Sequence, residues 1–215
     1  MNARGIADLL IERAAQADLD VPEPVRSQLV AYYEVLGHWN RTINLTALSN
    51  PSEAVDRLLL EPLAAASEVP HHEALIDLGS GGGSPAIPLA VGTRARRLVM
   101  VESRARKAAF LREALRELGI AGSVENSRFA DLAVRHEFGE AFGLLSVRAI
   151  RVDEAVFAAS VSLLRLDGIV ALFGTMEAAG PPPGLPPTLR WLSSRRLLPT
   201  TRSALTRLQK VERST

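Results

Sequence analysis

Residues 75–85 read Leu-Ile-Asp-Leu-Gly-Ser-Gly-Gly-Gly-Ser-Pro, and the fold turns on this stretch. Ala74 to Leu78 is an apolar run of strand length that ends in glycines. Such a run, bounded by turn residues, predicts a strand buried on both faces. Pro85 suits the start of a helix, because its fixed φ fits the first turn and its missing N–H is not needed there. The stretch therefore predicts a strand, a glycine turn and then a helix over residues 85–92.

The same alternation continues outward. Leu98 to Val101 predicts a second strand. Ser103 is a candidate cap for a helix running to Leu118, with Phe110, Leu111, Ala114 and Leu115 inward and Gly119 as the stop. A third strand is expected near Ser123–Glu125, a fourth over Phe142–Val147, a helix over 153–165 and a fifth strand over Gly168–Phe173. Gly180 to Pro187 holds five prolines in eight residues and predicts a mobile loop. Thr188–Leu192 and Leu205–Val211 are candidates for final antiparallel strands. Strands alternating with helices predict an α/β fold, with a mostly parallel sheet of seven strands covered on both faces.

Upstream the pattern is helical. Residues 3–48 read as helix, with a second start near Pro24 and a third at Asn50-Pro51, which places Val55, Leu58, Leu59 and Leu63 inward. The expected organisation is a helical N-terminal cap over 1–70 and a sheet domain over 71–215.

Composition narrows the chemistry. The 215 residues include no cysteine, which excludes disulfides, thiolate metal ligands and thiolate nucleophiles. None of His38, His71, His72 and His136 forms a helical ligand pair with a carboxylate, so no metal is expected. No apolar run approaches membrane-spanning length, and the start is not an apolar leader, so a cytoplasmic protein is expected. Net charge is only +1, yet residues 1–72 carry five Arg against ten Asp/Glu. Residues 91–116 carry eight basic side chains against two acidic ones, and residues 190–215 seven against one. Basic segments of this kind either bind phosphate backbones or are solvated faces; composition leaves both open.

Glycines at the carboxyl end of a parallel strand let the backbone approach a ligand closely. A dinucleotide fold requires G-x-G-x-x-G, but after Gly79 and Gly81 the last position is Ser84. The pattern is instead D-x-G-x-G-x-G, which suits S-adenosylmethionine, a ligand without phosphate. Glu102 ends the second strand, 23 positions after Gly79. A carboxylate there can accept hydrogen bonds from both ribose hydroxyls, or simply complement a helix dipole. Methyl transfer from a sulfonium needs alignment and exclusion of water above all. A pyrimidine carbon would need a cysteine, and the proline runs lack the aromatic residue of an amine-methylating loop. A guanine N7 presents its own lone pair, so the absence of an obvious acid–base pair is compatible with that acceptor.

At this point the chain resembles a family. Leu36-Gly-His-Trp-Asn-Arg-Thr-Ile-Asn-Leu-Thr46 is similar to the L-x-x-W-N-[KR]-x-x-N-L-T signature of the bacterial 16S ribosomal RNA guanine-N7 methyltransferases, the glucose-inhibited division protein B family. Asp77 to Ala90 resembles that family's D-x-G-[ST]-G-x-G-x-P-G-I-P-L-A element. Glu102-Ser103, Lys107, Phe110-Leu111-Arg112 and Arg148-Ala149 fall where the family has its acidic-Ser, lysine, F-L-R and S-R-A elements.

The resemblance implies a Rossmann-like class I methyltransferase sheet and S-adenosylmethionine as cofactor. It implies one guanine N7 of 16S rRNA, in the decoding-region loop of the small ribosomal subunit, as target. Gly79, Gly81, Ser84 and Glu102 would line the cofactor, with Phe129-Ala130 beside the adenine. Arg148 would stand near cofactor and target, to position the base or a phosphate; its bland alternative is a surface ion pair. Trp39 and Asn44 are assigned to structure, as packing and turn cap. Arg41, Arg104, Arg106 and Lys107 are candidates for the RNA backbone, or solvated charges. A monomer is expected.

Three positions depart from the pattern. R-H-x-x-D-S becomes Arg57-Leu-Leu-Leu-Glu61-Pro62, the glycine after Pro85 is Ala86, and L-K-G becomes Leu172-Phe173-Gly174. They leave two rivals: a methyltransferase for another RNA or a small molecule, and an RNA-binding assembly factor without catalysis.

Overall fold

The computed structural model describes residues 3–212. Met1, Asn2 and residues 213–215, which begin the expected cap and end the basic stretch 190–215, lie outside the described residues. The chain opens with α1 (Ala3–Gln16), α2 (Glu23–Asn40), α3 (Pro51–Val55) and α4 (Glu61–Ala66), the last two joined by a π turn over Asp56–Leu60. Then come β1 (Ala74–Leu78), α5 (Ala86–Thr93), β2 (Arg97–Val101), α6 (Ala105–Leu118), β3 (Gly122–Glu125) and α7 (Phe129–Leu132). β4 (Phe142–Arg148), α8 (Glu154–Leu163), β5 (Leu164–Thr175), β6 (Leu189–Arg196) and β7 (Ser203–Lys210) complete it.

The seven strands form one sheet in the order β3-β2-β1-β4-β5-β7-β6. β3 through β5 run parallel, and β7 lies antiparallel between β5 and β6. Strand order reverses between β1 and β4, so the crevice at their carboxyl ends is the topological switch point.

The alternation of strand side chains splits the core in two. Leu75, Leu98, Met100, Leu144 and Ala171 face α1, α2, α4, α5 and α6 in one cluster. Ile76, Val99, Val101, Leu145 and Val170 face α7 and α8 in the other. All five residues of β1 are buried, which is why the strand reads as a continuous apolar run. The N-terminal helices share the first cluster with the sheet. Trp39 of α2 meets Phe110 of α6 with ring centroids 5.9 Å apart.

Local signals hold in several places. Pro24 lies in the first turn of α2, and Asn50 accepts hydrogen bonds from the N–H groups of Ser52 and Glu53. Gly119 ends α6 with φ +62. Three expectations change. Helix stops at Asn40, and the chain then winds around that side chain, whose Oδ1 accepts from the N–H groups of Leu45 and Thr46. Asn40, not Asn44, therefore organises this turn. Ser103 does not cap α6; the Glu102 carboxylate accepts the Arg104 N–H instead, at 2.8 Å. α8 passes directly into β5 at Leu164, earlier than the glycine at 168 suggests. Asp167 takes a left-handed φ there, and a Cβ on Gly168 would sit 2.9 Å from the Arg165 carbonyl.

Phe110 is fully buried where α6 carries α2. Phe110→Ala is expected to destabilise the fold by about 3–5 kcal/mol through the cavity it leaves. Urea unfolding followed by circular dichroism should show a lower midpoint.

Candidate active site

The site begins where β1 ends. Gly79 and Ser80 both donate their N–H groups to the Val101 carbonyl, at 2.9 and 3.0 Å. Gly79, Gly81 and Gly83 take φ of +74, +52 and +88, conformations open to glycine and strained for other residues. A Cβ on Gly82 would lie 3.2 Å from the Leu45 carbonyl, and one on Gly83 would lie 2.9 Å from Ile87 Cδ1. A Cβ on Gly81 would meet only the Gly79 carbonyl, at 3.8 Å, so this point of the loop faces open space. The Tyr32 hydroxyl donates to the Gly82 carbonyl at 2.6 Å. α2 and the turn after it thus hold the outer side of the loop; Tyr32 is not among the candidate residues above, because in sequence it is one more large residue in a helix.

Glu102 is buried at the end of β2, with 6% exposure. One carboxylate oxygen accepts the Gly81 N–H at 2.9 Å, and the other accepts the Arg104 N–H. It joins the glycine loop to the start of α6, and each oxygen keeps a lone pair for a further donor. The Asn126 amide donates to the carbonyls of Glu102 and Ser103, which draws the β3–α7 connection to the same edge. Phe129 and Ala130 open α7 there, the first half-buried and the second exposed.

On the other side of β1 stands a charged cluster. Asp77 is 1% exposed and accepts a 2.5 Å hydrogen bond from the Ser146 hydroxyl. Burial pushes its carboxyl up to about 6, against the opposing pull of Ser146, Ser80 and Arg148. Arg148, at the end of β4, has only 13% of its side chain exposed. Its guanidinium pairs with Glu61, donates to the Arg57 carbonyl and reaches the Ser84 hydroxyl at 3.4 Å. Its central carbon lies 4.9 Å from the Phe173 ring centre, within cation–π range. Burial lowers the Arg148 pKa from its ordinary value, and Glu61 opposes that shift. Ser84 itself donates to the Leu58 carbonyl at 2.9 Å.

The structure therefore brings Gly79, Gly81, Ser84, Glu102, Phe129, Ala130 and Arg148 to one edge of the sheet. Of the candidate RNA contacts, Arg104 and Arg106 are exposed beside Glu102 and Lys107 is half-buried. Arg41 lies in the turn after α2, where it meets His38 Nδ1 at 2.8 Å. Glu61 and Phe173 entered the sequence reading only as departures from a pattern. In the fold both touch Arg148, and nothing local in the sequence signals a contact between positions so far apart.

Glu61 is fully buried, and its second oxygen has no hydrogen-bond partner among the described residues. Glu61→Gln leaves Arg148 buried without its counter-charge, an expected loss of about 3–5 kcal/mol, read as a lower urea midpoint. Asp77 makes a pH prediction. Its folded pKa of about 6 lies above the ordinary value of 3.8, so folding favours the protonated form. That stabilisation is complete below about pH 4 and is lost as pH rises through 6. Asp77→Asn should gain stability relative to the parent between pH 4 and 7, by about 2–3 kcal/mol, measured by unfolding at fixed salt.

This geometry has counterparts among known proteins. A variant of MtNAS solved in complex with S-adenosylmethionine superposes with a TM-score of 0.58 at 15% identity, over 99% of this chain and 93% of that one. TYW2 from P. horikoshii, in complex with MeSAdo, gives a TM-score of 0.51 at 15% identity, over 69% and 61%. At such identities the likeness is one of fold, the class I methyltransferase fold. Sequence relatives are nearer. Ribosomal RNA small subunit methyltransferase G of Xylella fastidiosa (strain M23) is 38% identical over 162 residues, 73% of this chain and 67% of that protein. The protein of the same name from Xanthomonas axonopodis pv. citri is 38% identical over 159 residues, 74% and 72%. The GidB model, described as rRNA small subunit methyltransferase G, matches residues 25–178. That match takes in most of α2, the glycine loop, Glu102 and Arg148 together, and the chain belongs to the GidB family.

Proposed function

We propose that this chain transfers a methyl group from S-adenosylmethionine to N7 of one guanine in 16S rRNA, in the decoding-region loop of the small ribosomal subunit. The observation that carries the reading is the open side of the glycine loop at Gly81, tied by its N–H to the buried Glu102. Bound there, S-adenosylmethionine supplies an electrophilic methyl on a sulfonium. Gly79, Gly81 and Ser84 would line it, Glu102 would accept from the ribose hydroxyls, and the backbone at Phe129–Ala130 would flank the adenine. Ionised Asp77 places negative charge behind the loop, which favours a cationic ligand.

The protein's part in the chemistry is alignment. The two buried carboxylates of the inner cluster are engaged, Asp77 by the Ser146 hydroxyl and Glu61 by Arg148, and neither is assigned a general-base role. An acceptor that already presents a lone pair, such as guanine N7, suits this arrangement. Arg148, fixed by Glu61 and by the Phe173 ring, would offer remaining N–H donors of its planar fork to the base or an adjacent phosphate. No helix among the described residues is long and apolar enough to cross a membrane. Action as a cytoplasmic monomer fits a ribosomal substrate.

The test is methyl transfer from labelled cofactor to small subunits lacking the modification, with the labelled nucleotide mapped. Label on a single guanine N7 is expected. Label on another RNA or on a small molecule points to a different substrate, and cofactor binding without any transfer points to an assembly factor. Gly81→Val places a branched side chain at φ +52 in the open space of the loop. Cofactor affinity, measured by calorimetry, should fall by more than about 100-fold; unchanged affinity would move the cofactor elsewhere.

A further inference from the structure

Beyond the cofactor loop, the carboxyl edge of the sheet carries arginines on its β4–β7 flank. Arg151 follows β4, Arg196 ends β6 and Arg202 precedes β7, and all three are exposed. Arg196 pairs with Ala204, which pairs with Gly174, so β6 ends level with the carboxyl end of β5. Phe173, one residue earlier on β5, lies under the Arg148 guanidinium. The register therefore sets Arg196 and Arg202 at the height of the reaction crevice. Neighbouring strands are about 4.8 Å apart, so β6 lies roughly 15 Å from β4 along this edge, about two nucleotide steps of an extended strand.

These guanidiniums are not consumed by the fold. Among the described residues, Arg151 and Arg196 make no ion pair within 4.0 Å, and Arg196 donates only to the Thr201 carbonyl, at 3.3 Å. Arg202 meets Glu177 at 3.6 Å, with 85% and 62% of the two side chains exposed. A solvated pair of this kind is weak and exchanges readily for a phosphate. The opposite flank carries Arg104 and Arg106 beside β2 and an exposed Arg128 after β3.

We infer that the RNA sugar–phosphate backbone runs across the carboxyl edge of the sheet, gripped on the β4–β7 flank by Arg151, Arg196 and Arg202. The inference rests on the rRNA reading above and adds the surface that carries the substrate. Neutralising phosphates releases counter-ions, so each lost contact flattens the salt dependence of binding. The contacts are independent of base sequence and act on docking, not on methyl transfer.

The experiment compares the parent chain with Arg196→Ala/Arg202→Ala, with Arg151→Ala, and with Arg96→Ala/Arg97→Ala as a control of equal charge change. Arg96 and Arg97 are exposed at the opposite, amino edge of the sheet. Small subunits lacking the modification are the substrate, and salt is varied between 50 and 200 mM KCl. The edge variants should raise KM about tenfold or more at 150 mM KCl while kcat and cofactor affinity stay as in the parent. The slope of log affinity against log salt should shrink by about 0.7–0.9 for each arginine removed. The amino-edge control should match the parent. Parental KM and slope in the edge variants, or an equal change in the control, would overturn the placement. If the parent itself fails to methylate small subunits, the rRNA reading fails; if the parent works and the edge variants match it, only this surface fails.

Discussion

Two consecutive N–H groups, those of Gly79 and Ser80, converge on one carbonyl, that of Val101. The rest of the site depends on this arrangement. A strand buried on both faces must leave the sheet at its carboxyl end without orphaning its peptide groups. Here the chain folds back onto the neighbouring strand, which requires left-handed backbone at Gly79 and Gly81. The next N–H, of Gly81, goes to Glu102, and the carbonyl of Gly82 goes to Tyr32. The loop is thereby satisfied from the end of β2 and from α2, and the side of Gly81 stays open. A rigid loop with one open side is a pre-organised binding surface, since little ordering entropy remains to be lost when a ligand arrives.

The second determinant is the buried pair of Arg148 and Glu61. Taking two charges out of water is unfavourable, and the pairing only partly offsets it, so such a pair is poor evidence of stabilisation. Its value here lies in position. Glu61 follows a π turn, a feature often found near functional sites. The turn and α4 bring its carboxylate to the end of β4, while Phe173 supplies a flat face for the guanidinium. Arg148 is thus fixed from three directions at the switch point of the sheet. Arg148 does make an ion pair, but with 13% and 0% of the two side chains exposed it is a buried pair and not the surface pair of the bland alternative.

These two features divide the crevice. Glu102 and the Phe129 loop lie on the β2–β3 side, and Asp77, Arg148 and Phe173 lie on the β1–β5 side. Two of the three departures from the family pattern touch the second side. The Leu58 carbonyl holds Ser84, Glu61 holds Arg148, and Phe173 supports it. Ala86 is buried at the start of α5 with no exposure.

Much of this was legible in the chain because its signals are local. Apolar runs ended by glycine, proline in a first helical turn, Asn50 before Pro51 and Gly119 after Leu118 each act within a few residues, so strand order in the chain and most boundaries followed from the sequence. The glycine loop and Glu102 were legible too, because strand ends and spacing carry them. What escaped was set by contacts between distant segments. Asn40 rather than Asn44 organises the turn after α2, because its amide happens to face two N–H groups of the returning chain. Ser103 does not cap α6, and the Glu102 carboxylate, already held by Gly81, takes the N–H of Arg104 just before the helix. The roles of Tyr32 and Glu61 arise across separations of 50 and 87 residues, and that of Phe173 depends on the pairing of β4 with β5. The sequence by itself determined the succession of elements and the chemistry of the loop, through short-range sterics and hydrophobic pattern. Only the tertiary structure decided which charges meet, because burial and pairing depend on which segments the packed core brings together.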